Sequence, residues 1–263
     1  MSTLSTQTTH SSNEDSISAL LERIKRSMEA KPVDEKEQWR MEYEAHEAQE
    51  KLKYLERRYK LCGINERCRQ YLFENFEVND RNQKAYEAVK QYAEEFIKGK
   101  TAGGLYLCGE FGLGKTHLAC ALCNHLIIND LAYVTFDTMI GIAQRIRARF
   151  GKDGEESTLE ELADVSLLII DDLGKEKATT WSMEKLFYII DQRYTRYKPV
   201  VITSNYSLQG LVNRLTIDGN EDVVSSIISR LQEMTKGILV TGEDWRKSHK
   251  VSENPITQFY KVR

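Results

Sequence analysis

The residues best suited to chemistry lie in one short segment, residues 109–116, which reads GEFGLGKT. The segment fits the pattern GxxxxGK followed by Ser or Thr, whose glycines let the backbone wrap closely around a chain of phosphates. Lys115 can reach the outer phosphates, and the Thr116 hydroxyl can bind a magnesium ion that bridges them. The predicted nucleotide-binding residues are Gly109, Gly112, Leu113, Gly114, Lys115, Thr116 and His117.

Two elements must hold this segment in place, because backbone N–H groups and the positive end of a helix have to face the phosphates together. The preceding residues 105–108, LYLC, are apolar and predict a strand, and residues 117–128 have the composition of a helix. A glycine-rich turn without a ligand is the alternative. The flanking strand and helix favour the nucleotide-binding loop.

A pair of carboxylates ends another apolar run, LLIIDD at residues 167–172. Such a run suits a strand buried on both faces of a parallel sheet, and ligands of these sheets bind at the carboxyl ends of the strands. We expect Asp171 to hold the magnesium ion through water. Asp172 is the candidate to orient and deprotonate the attacking water, with a shorter reach than the glutamate of many ATPases. Taken alone, these acidic residues could equally be turn or cap residues.

Two later polar residues could sense the nucleotide or complete the site. Asn205 follows a third apolar run, VVITS, and its amide could hold the lytic water or the terminal phosphate. It could also merely begin the turn before Ser207, a suitable N-cap for residues 208–215. Arg230 lies in a predicted helix and could reach the phosphates of a neighbouring subunit, although a solvated surface arginine is the commoner case.

These four segments, in this order, resemble the AAA+ ATPases. Their amino-acid sequences resemble those of one branch, the DnaC-type replicative helicase loaders and the IstB-type transposition proteins. The similarity rests on GLGKTHLA at residues 112–119, LIIDDLG at residues 168–174 and SRL at residues 229–231. It extends to CRQYLFENF at residues 68–76 and to DWR at residues 244–246.

The resemblance implies roles for single residues. Asn205 is similar in position to sensor 1, Arg230 to the arginine finger and Arg246 to a second phosphate-sensing arginine. The pair Asp171 and Asp172 departs from the Asp-Glu of many relatives. We therefore expect the chain to bind ATP with Mg²⁺ and to hydrolyse it slowly.

The resemblance also implies an α/β fold, an AAA+ P-loop core with a central parallel sheet and a reduced lid at residues 76–263. Residues 1–16 are rich in Ser and Thr, which predicts disorder. We expect residues 17–75 to be a helical helicase-interaction region and linker. This region has an apolar stripe on one helix face, made of Met41, Ala45, Ala48, Leu52, Leu55 and Tyr59. The stripe could pack on the ATPase core or on a partner's helices. The resemblance favours the partner, because loaders grip the hexameric replicative helicase with this region.

A basic stretch at residues 144–150, QRIRARF, is the candidate DNA contact. It reads as the end of a helix capped by Asp137, with Arg145 and Arg149 on one face and Phe150 able to stack on a base. The arginines could instead oppose the helix dipole. In the resembled family this neighbourhood helps to line a path for single-stranded DNA. The formal net charge of −3 argues against a general polybasic binder.

The composition predicts a soluble, cytoplasmic protein. The 263 residues include no apolar run near the length of a membrane span and no basic-then-apolar start typical of a secretion signal. The five cysteines lack paired CxxC spacings, so buried reduced thiols are expected in place of a zinc site.

Together these features predict an ATP-regulated loader that binds the hexameric replicative helicase, assembles into an AAA+ oligomer and places the helicase on single-stranded DNA. The first alternative is an IstB-type transposition helper that assembles on duplex DNA. The second is a small-molecule P-loop kinase. The presence of Asn205 and Arg230 argues against it.

Overall fold

The computed structural model describes residues 22, 25, 34–99, 103–129, 132–149, 151 and 154–245. Its elements are, in chain order, α1 (Glu35–Cys62), α2 (Glu66–Arg69), α3 (Gln83–Ile97), β1 (Gly104–Cys108), α4 (Lys115–Ile128), β2 (Val134–Thr138), α5 (Met139–Ala148), α6 (Gly154–Asp164), β3 (Leu167–Leu173), α7 (Thr180–Thr195), β4 (Val200–Ser204), α8 (Leu208–Leu215), α9 (Asp222–Met234) and β5 (Thr235–Leu239). The predicted disordered tail, residues 1–16, lies outside the described residues. None of the helices in the described ranges is long and apolar enough to cross a membrane.

The described strands form a five-stranded parallel sheet in the order β2-β3-β4-β1-β5. Alternate strand residues face opposite sides of the sheet. Leu107 packs with helices α1 to α4, and its neighbour Tyr106 packs with helices α5 to α9. All five residues of β4 are buried, as expected for a central strand covered on both faces. The predicted α/β fold with a central parallel sheet is confirmed.

The strand order decides where the predicted site residues meet. Strand β4 lies between β1 and β3. In a parallel sheet the carboxyl ends of neighbouring strands lie side by side. The phosphate loop after β1, the carboxylates at the end of β3 and Asn205 after β4 are therefore brought to one edge.

Helix α1 is divided into a packed half and an exposed half. Leu55, Tyr59 and Cys62 are each 1% exposed and belong to the core beside α4. The guanidinium of Arg58 donates to the backbone carbonyl of Ala132 at the start of the β2 segment. The carboxyl-terminal half of the apolar stripe thus packs on the chain's own core, the alternative that the resemblance did not favour.

The other half of α1 presents aromatic side chains to solvent. Trp39 is 67% exposed and Tyr43 is 58% exposed. Their rings stack with centroids 5.5 Å apart. Packing against the core continues through Cys68 and Phe73. Among the described residues of α1, none before Ala48 is buried.

The start of α5 corrects the expected helix cap. Thr138 is the N-cap, and its hydroxyl accepts a hydrogen bond from Gly141 N at 3.1 Å. Asp137 still belongs to β2, and its carboxylate accepts from Thr138 N at 2.8 Å. The strand runs past its apolar residues because β2 stays paired with β3 as far as the register Thr138 with Asp171.

A fully buried arginine holds the end of α6. Arg193 is 0% exposed, and its guanidinium donates to the carbonyls at the end of that helix and to one before β4, namely those of Leu162, Ala163, Val165 and Pro199. The last carbonyls of a helix have no intrahelical donor, so the guanidinium supplies the missing hydrogen bonds. Burial lowers the pKa of Arg193 to about 10.

We expect Arg193→Met to lower the free energy of unfolding by about 2–4 kcal/mol, since it leaves several buried carbonyls without donors. Thermal and urea denaturation of the nucleotide-free protein measure this loss. Arg196→Met is the matched control, because Arg196 pairs with Glu160 on the surface at 2.7 Å and exposed ion pairs contribute little. Equal stability of the Arg193 variant and the wild type would contradict the assigned role.

Candidate nucleotide-binding site

The loop between β1 and α4 has a backbone that only glycine adopts readily. Gly112 and Gly114 have φ angles of 77° and 87°, in the left-handed region. A Cβ added at Gly114 would lie 2.7 Å from the ring of Phe76, so the loop also packs too closely there for a side chain. The sequence therefore folds into a tight loop that ends at the first residue of α4, Lys115.

The start of α4 adds backbone donors to this loop. Its first helical hydrogen bond runs from Leu118 N to Gly114 O at 2.9 Å. The N–H groups of residues 115–117 precede that bond, and such groups at a helix start have no intrahelical acceptor. The positive end of the helix dipole lies at the same place. Loop and helix start together suit an anionic phosphate chain.

The ammonium group of Lys115 joins the loop to the end of β4. Its Nζ donates to Gly109 O at 2.8 Å, to Glu110 O at 2.7 Å and to Asn205 Oδ1 at 2.7 Å. Lys115 is 5% exposed, so this charge is held by oxygen acceptors away from bulk water. Phosphate oxygens are acceptors of the same kind with a full opposite charge, and the site therefore fits a phosphate chain.

The two predicted magnesium ligands contact each other. The hydroxyl of Thr116 donates to the carboxylate of Asp171 at 2.9 Å, and Thr203 donates to the same carboxylate at 2.6 Å. Burial raises the pKa of Asp171, and the neighbouring charge of Asp172 raises it further. A carboxylate beside a hydroxyl is an oxygen donor set of the kind that Mg²⁺ prefers, so these residues fit the ion.

Asp172 occupies an unusual backbone conformation. Its φ angle is 56°, and the register between β3 and β4 shifts between Ile170 and Leu173. Such bulges re-aim side chains next to active sites. The carboxylate of Asp172 lies 3.1 Å from Lys175 Nζ, and the two residues line a small pocket with Thr138. Sequence reasoning missed Lys175, which no motif singles out.

The turn after β3 is fixed by a buried carboxylate that the sequence did not reveal. Glu176 is 7% exposed and accepts a hydrogen bond from Gly174 N at 3.0 Å. The guanidinium of Arg214 donates to the carbonyls of Gly174 and Glu176. Burial raises the pKa of the Glu176 carboxyl. This turn directly follows Asp172. The contacts of Glu176 and Arg214 therefore also fix the position of Asp172.

Residues 11–253 match the family model described as IstB-like ATP binding protein. The chain belongs to the IstB-like family. It is 30% identical to YqaM of Bacillus subtilis over 203 residues, which cover 73% of this chain and 61% of YqaM. It is 29% identical over 184 residues to the replicative helicase loader DnaC of Escherichia coli K12, which cover 69% of this chain and 74% of DnaC.

The fold of this IstB-like chain is shared with a protein of known structure. The crystal structure of DnaI superposes with a TM-score of 0.58 at 23% identity, over 72% of this chain and 98% of DnaI. At this identity the likeness shows the fold. The predicted AAA+ P-loop fold and the resemblance to the DnaC and IstB branch are confirmed.

His117 connects the phosphate loop of the IstB-like chain to the segment before the core. Its Nε2 lies 2.9 Å from Leu72 O and 3.1 Å from Asn75 Oδ1. The imidazole stacks on Tyr71 with ring centroids 4.6 Å apart and contacts the edge of Phe76. Burial lowers its pKa. The His117 side chain thus contacts residues 71–76. Any role of His117 in nucleotide binding would therefore come from its backbone N–H.

The remaining predicted residues lie apart from the phosphate loop or outside the described residues. Arg230 on α9 pairs with Asp191 of α7, with Nη2 and Oδ1 2.7 Å apart. Arg145 and Arg149 of the DNA candidate lie within 3.6 Å and 3.2 Å of the carboxylate of Glu161. Phe150 and Arg246 are not among the described residues.

The chain just before Arg246 nevertheless runs beside the phosphate loop. Trp245 N donates to Gly112 O at 3.1 Å, and Val240 N donates to Cys108 O at 2.7 Å. A Cβ at Gly112 would collide with the carboxylate of Asp244. Asp244 and Trp245 of the DWR segment therefore lie beside the phosphate loop.

Proposed function

We propose that this IstB-like chain is an ATP-hydrolysing switch that binds a hexameric replicative helicase and loads it onto single-stranded DNA. The observation that carries the proposal is the division of α1. One half is packed against the helix that follows the phosphate loop, with Cys62 Sγ 3.4 Å from Cys123 Sγ. The other half presents the exposed pair Trp39 and Tyr43. One continuous helix therefore connects the nucleotide site to a surface suited to a protein partner.

Three strand ends carry the nucleotide-dependent part of the switch. Lys115 would move its hydrogen bonds from Asn205 and the loop carbonyls to phosphate oxygens, which changes the contact between β1 and β4. Thr116 and Asp171 would hold Mg²⁺, which neutralises charge on the phosphates when bound. Asp172 would position water, with a shorter reach than a glutamate in the same place. We propose that this shorter reach makes hydrolysis slow.

Assembly and DNA contact complete the proposed function. Arg230 would act on the nucleotide of a neighbouring copy in an AAA+ oligomer, and Arg246 would sense the phosphates bound by its own chain. Arg145, Arg149 and Phe150 would contact single-stranded DNA in the cytoplasm, where the replicative helicase works. Glu161 partly neutralises both of these arginines, so strand binding would require these ion pairs to open.

The test is helicase capture by the full-length chain. We expect the hexameric replicative helicase of the host to form a complex in native mass spectrometry. The Trp39→Ala, Tyr43→Ala double variant should weaken that complex on the order of tenfold or more, because exposed aromatic anchors dominate such interfaces. Tyr197→Ala is the matched control, since its ring is 95% exposed elsewhere on the surface.

Two results of this capture experiment would contradict the proposal. Equal capture by the wild type and the aromatic double variant would reject Trp39 and Tyr43 as the helicase contact. Capture of no helicase with ATP present would reject the loader. In the second case the function to test is the alternative that the family description favours, an IstB-type helper that assembles on duplex DNA. Filaments on duplex DNA in the presence of ATP would establish it.

A further inference from the structure

We propose that Asp191 is a positioning residue that orients Arg230 toward the nucleotide of a neighbouring copy of the chain. The inference rests on the proposed function, in which copies of the chain assemble around shared nucleotide sites. It adds a residue to that site which neither the motifs nor the resemblance identified.

The contacts of Arg230 leave one end of its guanidinium available. Its Nη2 lies 2.7 Å from Asp191 Oδ1, and its Nε donates to the same oxygen at 2.9 Å. Its Nη1 donates to Ser226 O at 3.1 Å. Among the described residues these contacts use three of the five N–H groups. The carboxylate takes the side edge formed by Nε and Nη2, so one N–H on each terminal nitrogen remains for an external acceptor.

Two aromatic rings of α7 flank this contact. The guanidinium carbon of Arg230 lies 4.9 Å from the ring centre of Phe187 and 5.8 Å from that of Tyr194. Residues 187, 191 and 194 share one face of the helix because they are four and three positions apart. The hydroxyl of Tyr194 donates to Glu233, one turn beyond Arg230 on α9, at 2.7 Å. Ring faces and carboxylate together restrict the planar guanidinium to one orientation.

An arginine that acts across a subunit boundary gains from this restriction. A long side chain free in solvent must lose its rotamer freedom at the moment of reaction, and donors fixed beforehand avoid that cost. Arg230 also keeps its backbone fixed, because its neighbours Ile227 and Leu231 are buried in the core. Since α7 connects β3 to β4, Asp191 lies on the element that links Asp171 and Asp172 to Asn205.

The experiment compares steady-state ATP hydrolysis by full-length variants over a range of protein concentrations. Asp191→Ala should lower the kcat of the concentration-dependent activity on the order of 10- to 100-fold, because the guanidinium is no longer oriented. The KM for ATP should change less than about threefold, since Asp191 does not touch the nucleotide of its own chain. Asp191→Asn keeps an acceptor oxygen, so its kcat should fall between those of Asp191→Ala and the wild type.

A double-mutant cycle separates positioning from a general loss of structure. In the Arg230→Ala background, Asp191→Ala should cause no further loss of kcat, because its effect passes through Arg230. Asp164→Ala is the matched control, since it removes a surface ion pair in which Asp164 Oδ1 lies 3.2 Å from Lys198 Nζ. Its kcat should equal that of the wild type.

The other outcomes separate the positioning role of Asp191 from the finger role of Arg230. If Arg230→Ala removes the concentration-dependent activity and Asp191→Ala keeps it, Asp191 is not a positioning residue and the proposed function stands. A further loss in the double variant assigns Asp191 to stability and also rejects positioning. If Arg230→Ala hydrolyses ATP like the wild type, Arg230 is not a finger, and that part of the proposed function falls with the inference.

Discussion

Replacement of Lys115 by alanine is expected to weaken ATP binding on the order of 100-fold or more, because a buried, hydrogen-bonded charge that faces an opposite charge is costly to remove. Lys115 is 5% exposed, and its ammonium group already donates to acceptors on both the β1 and the β4 sides of the site. Titration with a fluorescent ATP analogue, or calorimetry, measures the change in affinity.

The control for this prediction is Lys198→Ala. Lys198 is also a lysine in contact with a carboxylate and a backbone carbonyl, those of Asp164, but it lies near the start of β4 at the opposite edge of the sheet. Its loss should leave ATP affinity unchanged. An unchanged affinity in Lys115→Ala would show that the nucleotide binds elsewhere and would reject the site.

The sequence predicts the backbone of the phosphate loop and its flanking elements because their determinants are local. Glycines at 112 and 114 fix left-handed backbone that few other residues adopt, and the apolar runs identify buried strands before and after them. Once the strands are parallel, Lys115, Asp171 and Asn205 must meet at one edge of the sheet. In the structure the amide oxygen of Asn205 accepts a hydrogen bond from Lys115, and the sensor role of Asn205 stays a prediction.

What the sequence could not predict depends on contacts between distant elements. An apolar stripe reveals that α1 needs a partner but not which one, and Leu55 and Tyr59 find theirs on the chain's own core. The left-handed conformation of Asp172 arises from a bulge between β3 and β4, which no residue type announces. Asp191 becomes visible only when α7 and α9 are packed together.

Charge pairing gives a second reason for this limit. Each candidate arginine of the DNA contact is matched by Glu161, a residue on the following helix, and Arg230 is matched by Asp191. A list of basic residues in sequence therefore overstates the positive charge that a strand would meet. Only the packing shows which of these charges must first be released.

Replacement of Asp171 by asparagine is expected to separate hydrolysis from folding. The variant keeps the shape of the side chain but removes the charge that would hold Mg²⁺, and we expect kcat for ATP hydrolysis to fall about 10³-fold. Nucleotide affinity should fall far less, because the loop and Lys115 remain. A phosphate-release assay beside a nucleotide titration measures the two effects on the same protein.

The same substitution should stabilise the nucleotide-free fold at neutral pH. Burial raises the pKa of Asp171 in the folded state, so ionisation opposes folding. The stability contributed by its protonated form is complete below the unfolded pKa of about 3.9 and is lost as pH rises through the higher folded pKa. Asparagine carries no such penalty. The melting temperature of Asp171→Asn should therefore exceed that of the wild type at pH 7, and the difference should shrink toward zero near pH 4.

Asp222→Asn is the matched control, because Asp222 is exposed at the start of α9 and its substitution should change neither hydrolysis nor the pH dependence of melting. A lower melting temperature for Asp171→Asn at pH 7 would show that Thr116 and Thr203 need the charged carboxylate for the fold itself. If Asp171→Asn is instead more stable and hydrolyses ATP more slowly, the wild-type fold carries a destabilising buried charge at Asp171. The charge is then kept because the metal ion of the nucleotide requires it there.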